Sequence, residues 1–409
     1  MSLYIPVFLI VLAFLAIFFK ANFVLILTYL LLGVYFVGRW WGSRALKEVA
    51  GQREVPSHVF FGEKISIKLI IRNKSFLPVV WLQLHESFPV ELRTNLRSLV
   101  EVISLRPKAV ETYSYQLEGR KRGVYPIGPL FLSSGDIFGL SEPETRQIPA
   151  DFLIVYPKII PLVKVNLPSR SPMGTLRHHQ PIYEDPTRVR GKRDYVSGDS
   201  LRNIDWKASA SSGRLQVKIF EPSIALETAI FLNLNSEDYE RHSRIDASEL
   251  AIIVSASLAN WIIQKKQSVG LFTNGIEPVL LEPVKSPSLV SGLPFQNPLP
   301  IPPRRGQSHL MSILEVLARV QVAETYPLTK TIFNETSNLA WGTTLLVITP
   351  KVDDAIFESL FHADRAGLKT VLIPCGPVIG VDGIRKRADY FGFPFFQVFN
   401  ERDLDMWRN

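Results

Sequence analysis

Any chemistry in this chain would most readily come from the stretch between residues 188 and 218. Arg188, Arg190, Gly191, Lys192, Arg193, Asp194, Tyr195, Val196, Ser197, Gly198 and Asp199 run together, and Arg202, Asn203, Ile204, Asp205 and Trp206 follow at once. Asp199 and Arg202 are three apart, and Arg202 and Asp205 three more. On one helical turn such residues would face the same side and form a charged ladder, with Trp206 covering it by an apolar contact. Eight basic residues, Arg188, Arg190, Lys192, Arg193, Arg202, Lys207, Arg214 and Lys218, against Asp194, Asp199 and Asp205 leave the region net positive. Three readings follow. The group is a structural network that locks this segment onto the next domain, a surface for a ligand or partner, or a pair of carboxylates for acid–base or metal-dependent catalysis. Positive charge also suits nucleic acid or anionic headgroups, but no nucleic-acid fold motif or row of stacking aromatics accompanies it.

Standard catalytic signatures are missing. Gly191-Lys192 lacks the upstream glycine and the following hydroxyl of a phosphate-binding loop, and no G-x-S-x-G elbow occurs. His178 and His179 are adjacent, a spacing that rarely serves one metal. Cys375, the single cysteine, follows an apolar run between Pro374 and Gly376 and reads as a buried thiol without a base. It excludes an internal disulfide framework and a Cys-rich zinc module, and suits a reducing compartment. Nothing points to a small-molecule substrate.

The elements that must position these residues differ along the chain. With 409 residues, 46% hydrophobic, and Lys+Arg 46 against Asp+Glu 38 for a net charge of +8, two or three domains are expected. Mean hydropathy is +0.13, and its source is the first 42 residues. From Leu3 to Gly38 the only charge is Lys20, which with Ala21 and Asn22 divides two apolar runs, 4–19 and 23–38. Each is about 24 Å long as a helix, slightly short for a bilayer core of about 30 Å. A transmembrane helical hairpin over 1–42 is the expectation, Trp40 and Trp41 being its interfacial anchors. Arg39, Arg44, Lys47 and Arg53 then place the remainder on the cytoplasmic side.

Residues 52–150 alternate with period two, as in Lys64-Ile65-Ser66-Ile67-Lys68-Leu69 and Glu111-Thr112-Tyr113-Ser114-Tyr115, with Trp81 a bulky core candidate. Short strands at this spacing suggest an all-β, immunoglobulin-like sandwich. Residues 151–225 read as a connector, its first half barred from long regular elements by Pro157, Pro161, Pro168, Pro172, Pro181 and Pro186. From 226 to 409 apolar runs and amphipathic segments alternate. Strands are expected at 228–234, 268–273, 344–349 and 370–373, and helices at 247–264, 308–322 and 353–366, giving a parallel sheet flanked by helices.

Tyr195-x-x-Gly198-Asp199-x-x-Arg202-x-Ile204-Asp205-Trp206-Lys207-Ala208-Ser209-Ala210, followed by Leu215-x-Val217-Lys218, resembles the signature of the family catalogued as domain of unknown function 58. Upstream, Arg122-Gly123-x-Tyr125-x-x-Gly128-Pro129 and Asp136-x-Phe138-Gly139-Leu140 resemble the stretch that precedes it, and an N-terminal helical hairpin is typical. The resemblance implies a C-terminal α/β domain similar to von Willebrand factor type A domains. In such domains Asp-x-Ser-x-Ser at the end of the first strand helps to hold a hard cation such as Mg²⁺. The corresponding residues are Asn233, Asn235 and Glu237, and the third strand ends Ile348-Thr349-Pro350. An amide replaces the leading carboxylate, so a degenerate site without metal or other cofactor is expected. Ser211 stands where an Arg commonly follows.

The resulting expectation is a non-enzymatic scaffold in a bacterial inner membrane, with Arg193, Tyr195, Gly198, Asp199, Arg202, Asp205, Trp206 and Lys218 as its interaction motif. The resemblance implies a MoxR-type AAA+ ATPase as partner. The alternatives are a binder of anionic lipid or nucleic acid through the basic connector, or a metal-dependent enzyme around Asp199, Arg202 and Asp205.

Overall fold

The computed structural model describes residues 4–18, 22–92, 98–136, 143–163, 165, 184–222, 227–279 and 295–407. Lys20, residues 138–140, Pro168, Pro172, Pro181, His178 and His179 lie outside the described residues.

Two helices, α1 (Tyr4–Phe18) and α2 (Asn22–Lys47), open the chain and pack on each other. α2 is long and apolar enough to cross a membrane by length and composition. The sequence pattern ends its apolar run at residue 38, yet the helix continues to Lys47. The reason is packing. Gly38, Gly42 and Ala45 present a face of small residues to the sandwich, where a Cβ on Gly42 would stand 3.0 Å from the backbone carbon of Gly135. Trp41 Nε1 donates to Pro78 O at 3.0 Å, so Trp41 braces the sandwich, while Trp40 stays exposed. Arg146 Nη1 donates to Lys47 O at 3.0 Å, satisfying a carbonyl at the helix end, and to Val49 O just beyond it at 2.7 Å.

The next ten strands are β1 (Val49–Glu54), β2 (His58–Val59), β3 (Lys64–Asn73), β4 (Val79–Ser87), β5 (Ser98–Leu105), β6 (Val110–Glu118), β7 (Gly123–Ile127), β8 (Leu130–Ser134), β9 (Glu144–Ile148) and β10 (Asp151–Val155). They form sheets in the orders β1-β3-β6, β2-β10-β7 and β5-β4-β8-β9. In β3 every second residue is buried, the period-two pattern of its sequence. Inside lies a polar knot: Arg53 pairs with Glu86, both side chains almost wholly buried, and Tyr115 Oη donates to Glu86 at 2.8 Å. Arg53 Nη1 reaches Asp151 at 2.6 Å. Asp151 belongs to β10, which pairs with both β2 and β7. The boundary expected at 150 therefore falls short, and the sandwich runs to Val155.

The final domain holds β13 (Glu227–Leu232), α4 (Arg244–Gln264), β14 (Ser268–Thr273), the short pair β15 (Glu277–Pro278) and β16 (Phe295–Gln296), β17 (Ile301–Arg304), α5 (Gln307–Arg319), α6 (Leu328–Thr336), β18 (Thr344–Thr349), α7 (Asp354–Arg365), β19 (Lys369–Pro374) and α8 (Val381–Phe391). Its sheet has the order β17-β14-β13-β18-β19. β14, β13, β18 and β19 run parallel, and β17 is an antiparallel edge. The proline-rich sequence of β17 hid it, since proline is tolerated only at such an edge. Gly270 permits its approach, because a Cβ there would stand 2.7 Å from Ile301 O. α4 is buried nearly all round rather than along one face. The segment 156–163 and the C-terminal turn cover its outer side. Ile160 N donates to Ser257 Oγ at 2.9 Å, Trp261 Nε1 to Val163 O at 3.3 Å, and Val163 N to Trp407 O at 2.7 Å. The first part of the expected connector is thus core of this domain.

Candidate functional site

Residues 184–222 build a two-stranded ribbon, β11 (Glu184–Asp194) against β12 (Gln216–Pro222), with the short helix α3 (Trp206–Ser212) between them. The antiparallel register sets Lys192 opposite Lys218 and Arg193 opposite Val217. Arg193 holds Asp199 in a two-pronged pair, both N–O distances 2.6 Å. Asp199 also accepts from Val196 N at 3.0 Å, closing a turn in which Gly198 takes φ +110°, a backbone that favours glycine. Asp205 caps α3 by accepting from Ala208 N at 3.1 Å, and its other oxygen meets Lys192 Nζ at 2.8 Å. Tyr195 N donates to Leu215 O, and Asp205 N to Gln216 O, each at 2.8 Å. Ser209 Oγ ties the helix to β12, donating to Asp205 O and accepting from Gln216 N.

The expected charged ladder does not form. Leu201–Asn203 is one 3-10 turn between extended Ser200 and Ile204, so spacing by three does not place Asp199, Arg202 and Asp205 on one face. Arg202 is exposed, with no ion pair among the described residues. Trp206 covers nothing, being 68% exposed, and Leu201 and Val196 are exposed to a similar degree. Among the described residues of the ribbon only Ile204 and Val217 are buried apolar side chains. The hydrogen bonds from Arg193 hold the Asp199 carboxyl below the ordinary range, as that from Lys192 does for Asp205. Two carboxylates fixed in their ionised form are poorly placed as proton donors near neutrality. The motif therefore divides. Arg193, Gly198, Asp199 and Asp205 shape the ribbon, and Arg202 and Trp206 are displayed on it.

A second polar group lies at the C-terminal ends of β13, β14 and β18, the edge where open α/β sheets bind ligands. Asn233 Nδ2 donates to Asp238 Oδ2 and Thr349 Oγ1, both at 3.0 Å. Its Oδ1 accepts from Asn274 Nδ2 at 3.0 Å and Asn235 N at 3.1 Å, and Tyr239 Oη donates to Asn233 O at 2.6 Å. Asn235 Oδ1 accepts from Thr325 N at 3.2 Å. Glu237 is exposed at the rim. Lys351 Nζ stands 3.6 Å from Asp238 and 3.4 Å from Asp353. Burial would lower that ammonium, but the two carboxylates outweigh burial and raise it. The amide oxygens are thus engaged by internal donors, and the Asp238 carboxylate already faces a cation. Such a set offers a single carboxylate at the buried edge, already paired with Lys351, where a hard divalent ion is commonly held by several oxygen ligands including carboxylates. Lys351, Asp238 and Asn274 were not legible as partners, because loops far apart in sequence bring them together. Cys375 is wholly buried, and burial raises its thiol well above the usual range.

A third arrangement joins the domains. Arg122, just before β7, pairs with Glu249 of α4 through Nε and Nη2, at 2.8 and 3.0 Å. Its Nη1 donates to Leu317 O, Ala318 O and Val320 O at the end of α5. The guanidinium neutralises the negative end of that helix. Tyr125 Oη donates to Lys121 O and Arg122 O, bracing the turn.

Over 220 residues the chain is 24% identical to the uncharacterized protein YeaD of Bacillus subtilis (strain 168), covering 53% of this chain and 53% of that one. It thus spans about half the length of this curated relative. Among solved structures, native alpha-2-macroglobulin from Escherichia coli, from domain MG7 to its C-terminus, matches with a TM-score of 0.24. That match has 16% identity and covers 28% of this chain and 17% of the other. Beta-glucosidase from Listeria innocua matches with a TM-score of 0.17 and 12% identity, covering 26% and 16%. Likenesses this slight carry no argument. Residues 191–289, from β11 past β15, match the sequence model of the family described as protein of unknown function DUF58, so the match takes in the ribbon motif and the start of the parallel sheet.

Proposed function

We propose that this chain is a non-enzymatic scaffold, anchored in a bacterial inner membrane by α1 and α2, with its soluble domains in the cytoplasm. It would work by docking protein partners on the ribbon. One observation carries the reading: β11, β12 and α3 pack chiefly on one another, yet expose Trp206, Leu201, Val196 and Leu215. A two-stranded ribbon is marginal alone, and several large apolar side chains left exposed on so small a unit support an interaction surface there. The sheet order of the C-terminal domain supports a von Willebrand factor type A-like reading. Its polar edge, with Lys351 beside Asp238, would act without a metal. The resemblance suggests a MoxR-type AAA+ ATPase as the partner. Pairing of Lys192, Arg193 and Arg214 with aspartates leaves less free charge for nucleic acid or lipid.

The test is co-purification of detergent-solubilised full chain with a MoxR-type ATPase of the same cell after crosslinking. The ATPase should be retained by the unmodified chain, with or without a chelator, and lost with Trp206→Ser combined with Leu201→Ser. Equal recovery with the double variant would remove the ribbon from the reading, and dependence on the metal would restore a cation site.

A further inference from the structure

An apolar crevice of about 330 Å³ runs along α2 where it leaves its apolar half and meets the sandwich, a volume within the range of small-ligand clefts. One wall is the helix, from Tyr29 and Val34 to Trp41 and Ala45, and the other is Pro78–Val80 with Ser134 and Gly135. Gly33 lies in its lining, and a Cβ built there would meet nothing within 4 Å. The crevice is thus open at Gly33, where a long side chain would intrude into it. Its length follows from the helix, since Tyr29 to Ala45 spans about 24 Å at 1.5 Å per residue. Farther along α2 the cations Arg39, Arg44 and Lys47 have no acidic partner among the described residues.

We propose that this crevice binds one acyl chain of an anionic phospholipid, drawn partly out of the bilayer between α2 and the sandwich, with Arg44 beside the headgroup. The proposal rests on the membrane-anchor reading. The occupant follows from continuity. The lower wall, Tyr29 to Val37, belongs to the span itself, so the crevice opens into hydrocarbon. The upper wall belongs to the sandwich, which a bilayer alone does not reach. The chain's own methylenes gain little on leaving hydrocarbon, so the gain lies in the upper wall, whose apolar surface the chain would shield from water. An anionic headgroup would gain a neighbouring cation in Arg44, which is exposed and has no ion pair among the described residues.

The experiment uses the full chain in nanodiscs containing phosphatidylglycerol with a photoreactive diazirine in mid-chain, and labelled peptides are mapped by mass spectrometry. Label is expected on α2 and also on the peptides holding Pro78–Val80 and Ser134–Gly135. In Gly33→Leu, whose side chain intrudes into the crevice, sandwich label should fall about tenfold, which corresponds to a loss of about 1.4 kcal/mol in occupancy. Label on Phe36, which does not line the crevice, should stay. With phosphatidylcholine carrying the same diazirine, sandwich label should be weaker, and Arg44→Gln should erase that preference. Label confined to α1 and α2 would overturn the lipid site while leaving the anchor intact. Absence of label everywhere would overturn the anchor reading itself. Equal labelling by the two lipids would overturn the headgroup assignment.

Discussion

Asp199 and Asp205 lie six residues apart, and each is held by a different cation on the same strand. A carboxyl lowered by its partner stabilises the folded ribbon above its unfolded value, near pH 4. That contribution is lost as pH falls through the lower folded value. Carbon-detected NMR should therefore find both side chains titrating below the ordinary aspartate range. Arg193→Gln should raise the Asp199 midpoint toward that range and leave Asp205, which Lys192 holds, unmoved. An unchanged Asp199 midpoint would mean that the pair does not form in solution. The residue types of this motif were legible in the sequence, whereas their pairings were not. Arg193 and Asp199 are neighbours only because the chain turns at Gly198, and Lys192 meets Asp205 only through the register of β11 against β12. The spacing by three that suggested a ladder assumed a helix, where the chain makes a single 3-10 turn. The displayed Trp206 was read as a cover for the same reason.

At the scale of elements, Arg122 is the polar contact between sandwich and parallel sheet, beside the packing of α5 on β7 and β10, and its five hydrogen bonds converge on α4 and the end of α5. Arg122→Ala should cost about 2–3 kcal/mol, the lower part of the range for an engaged ion pair, because Glu249 is partly exposed. It should also separate one calorimetric transition into two. Arg122→Lys, which cannot reach both partners, should recover little. A single unshifted transition in the alanine variant would mean that the domains are held by other contacts. The sequence showed Arg122-Gly123 only as part of the stretch upstream of the ribbon motif, since a helix end in another domain leaves no local trace. Period-two strands such as β3 were legible, because one face is buried and one is wet. β17 was not, its prolines reading as loop, and α4 looked one-sided because its outer cover comes from 156–163 and the C-terminal turn.

For the whole molecule, order along the chain is order in space only in part. The first strands after α2 and the strand β10 close one sandwich, and residues just after β10 already belong to the core around α4. The ribbon, where the match to the DUF58 family model begins, packs chiefly on itself. The apolar first 42 residues account for the high hydropathy, yet they do not end where hydropathy ends, because α2 runs without a break to Lys47 and is clamped by Trp41 and Arg146. No loop separates its apolar half from the sandwich. Spin labels on Phe36→Cys and Val110→Cys, both exposed positions, should give one narrow distance distribution. Inserting Gly-Ser-Gly-Ser after Val37 should broaden it, and a broad distribution in the uninterrupted chain would contradict a rigid joint. With α2 in a bilayer as proposed, the joint would behave as a mast stepped into a hull: a pull on the sandwich would be delivered to the lipid without slack, and a tilt of the span would tilt the sandwich with it.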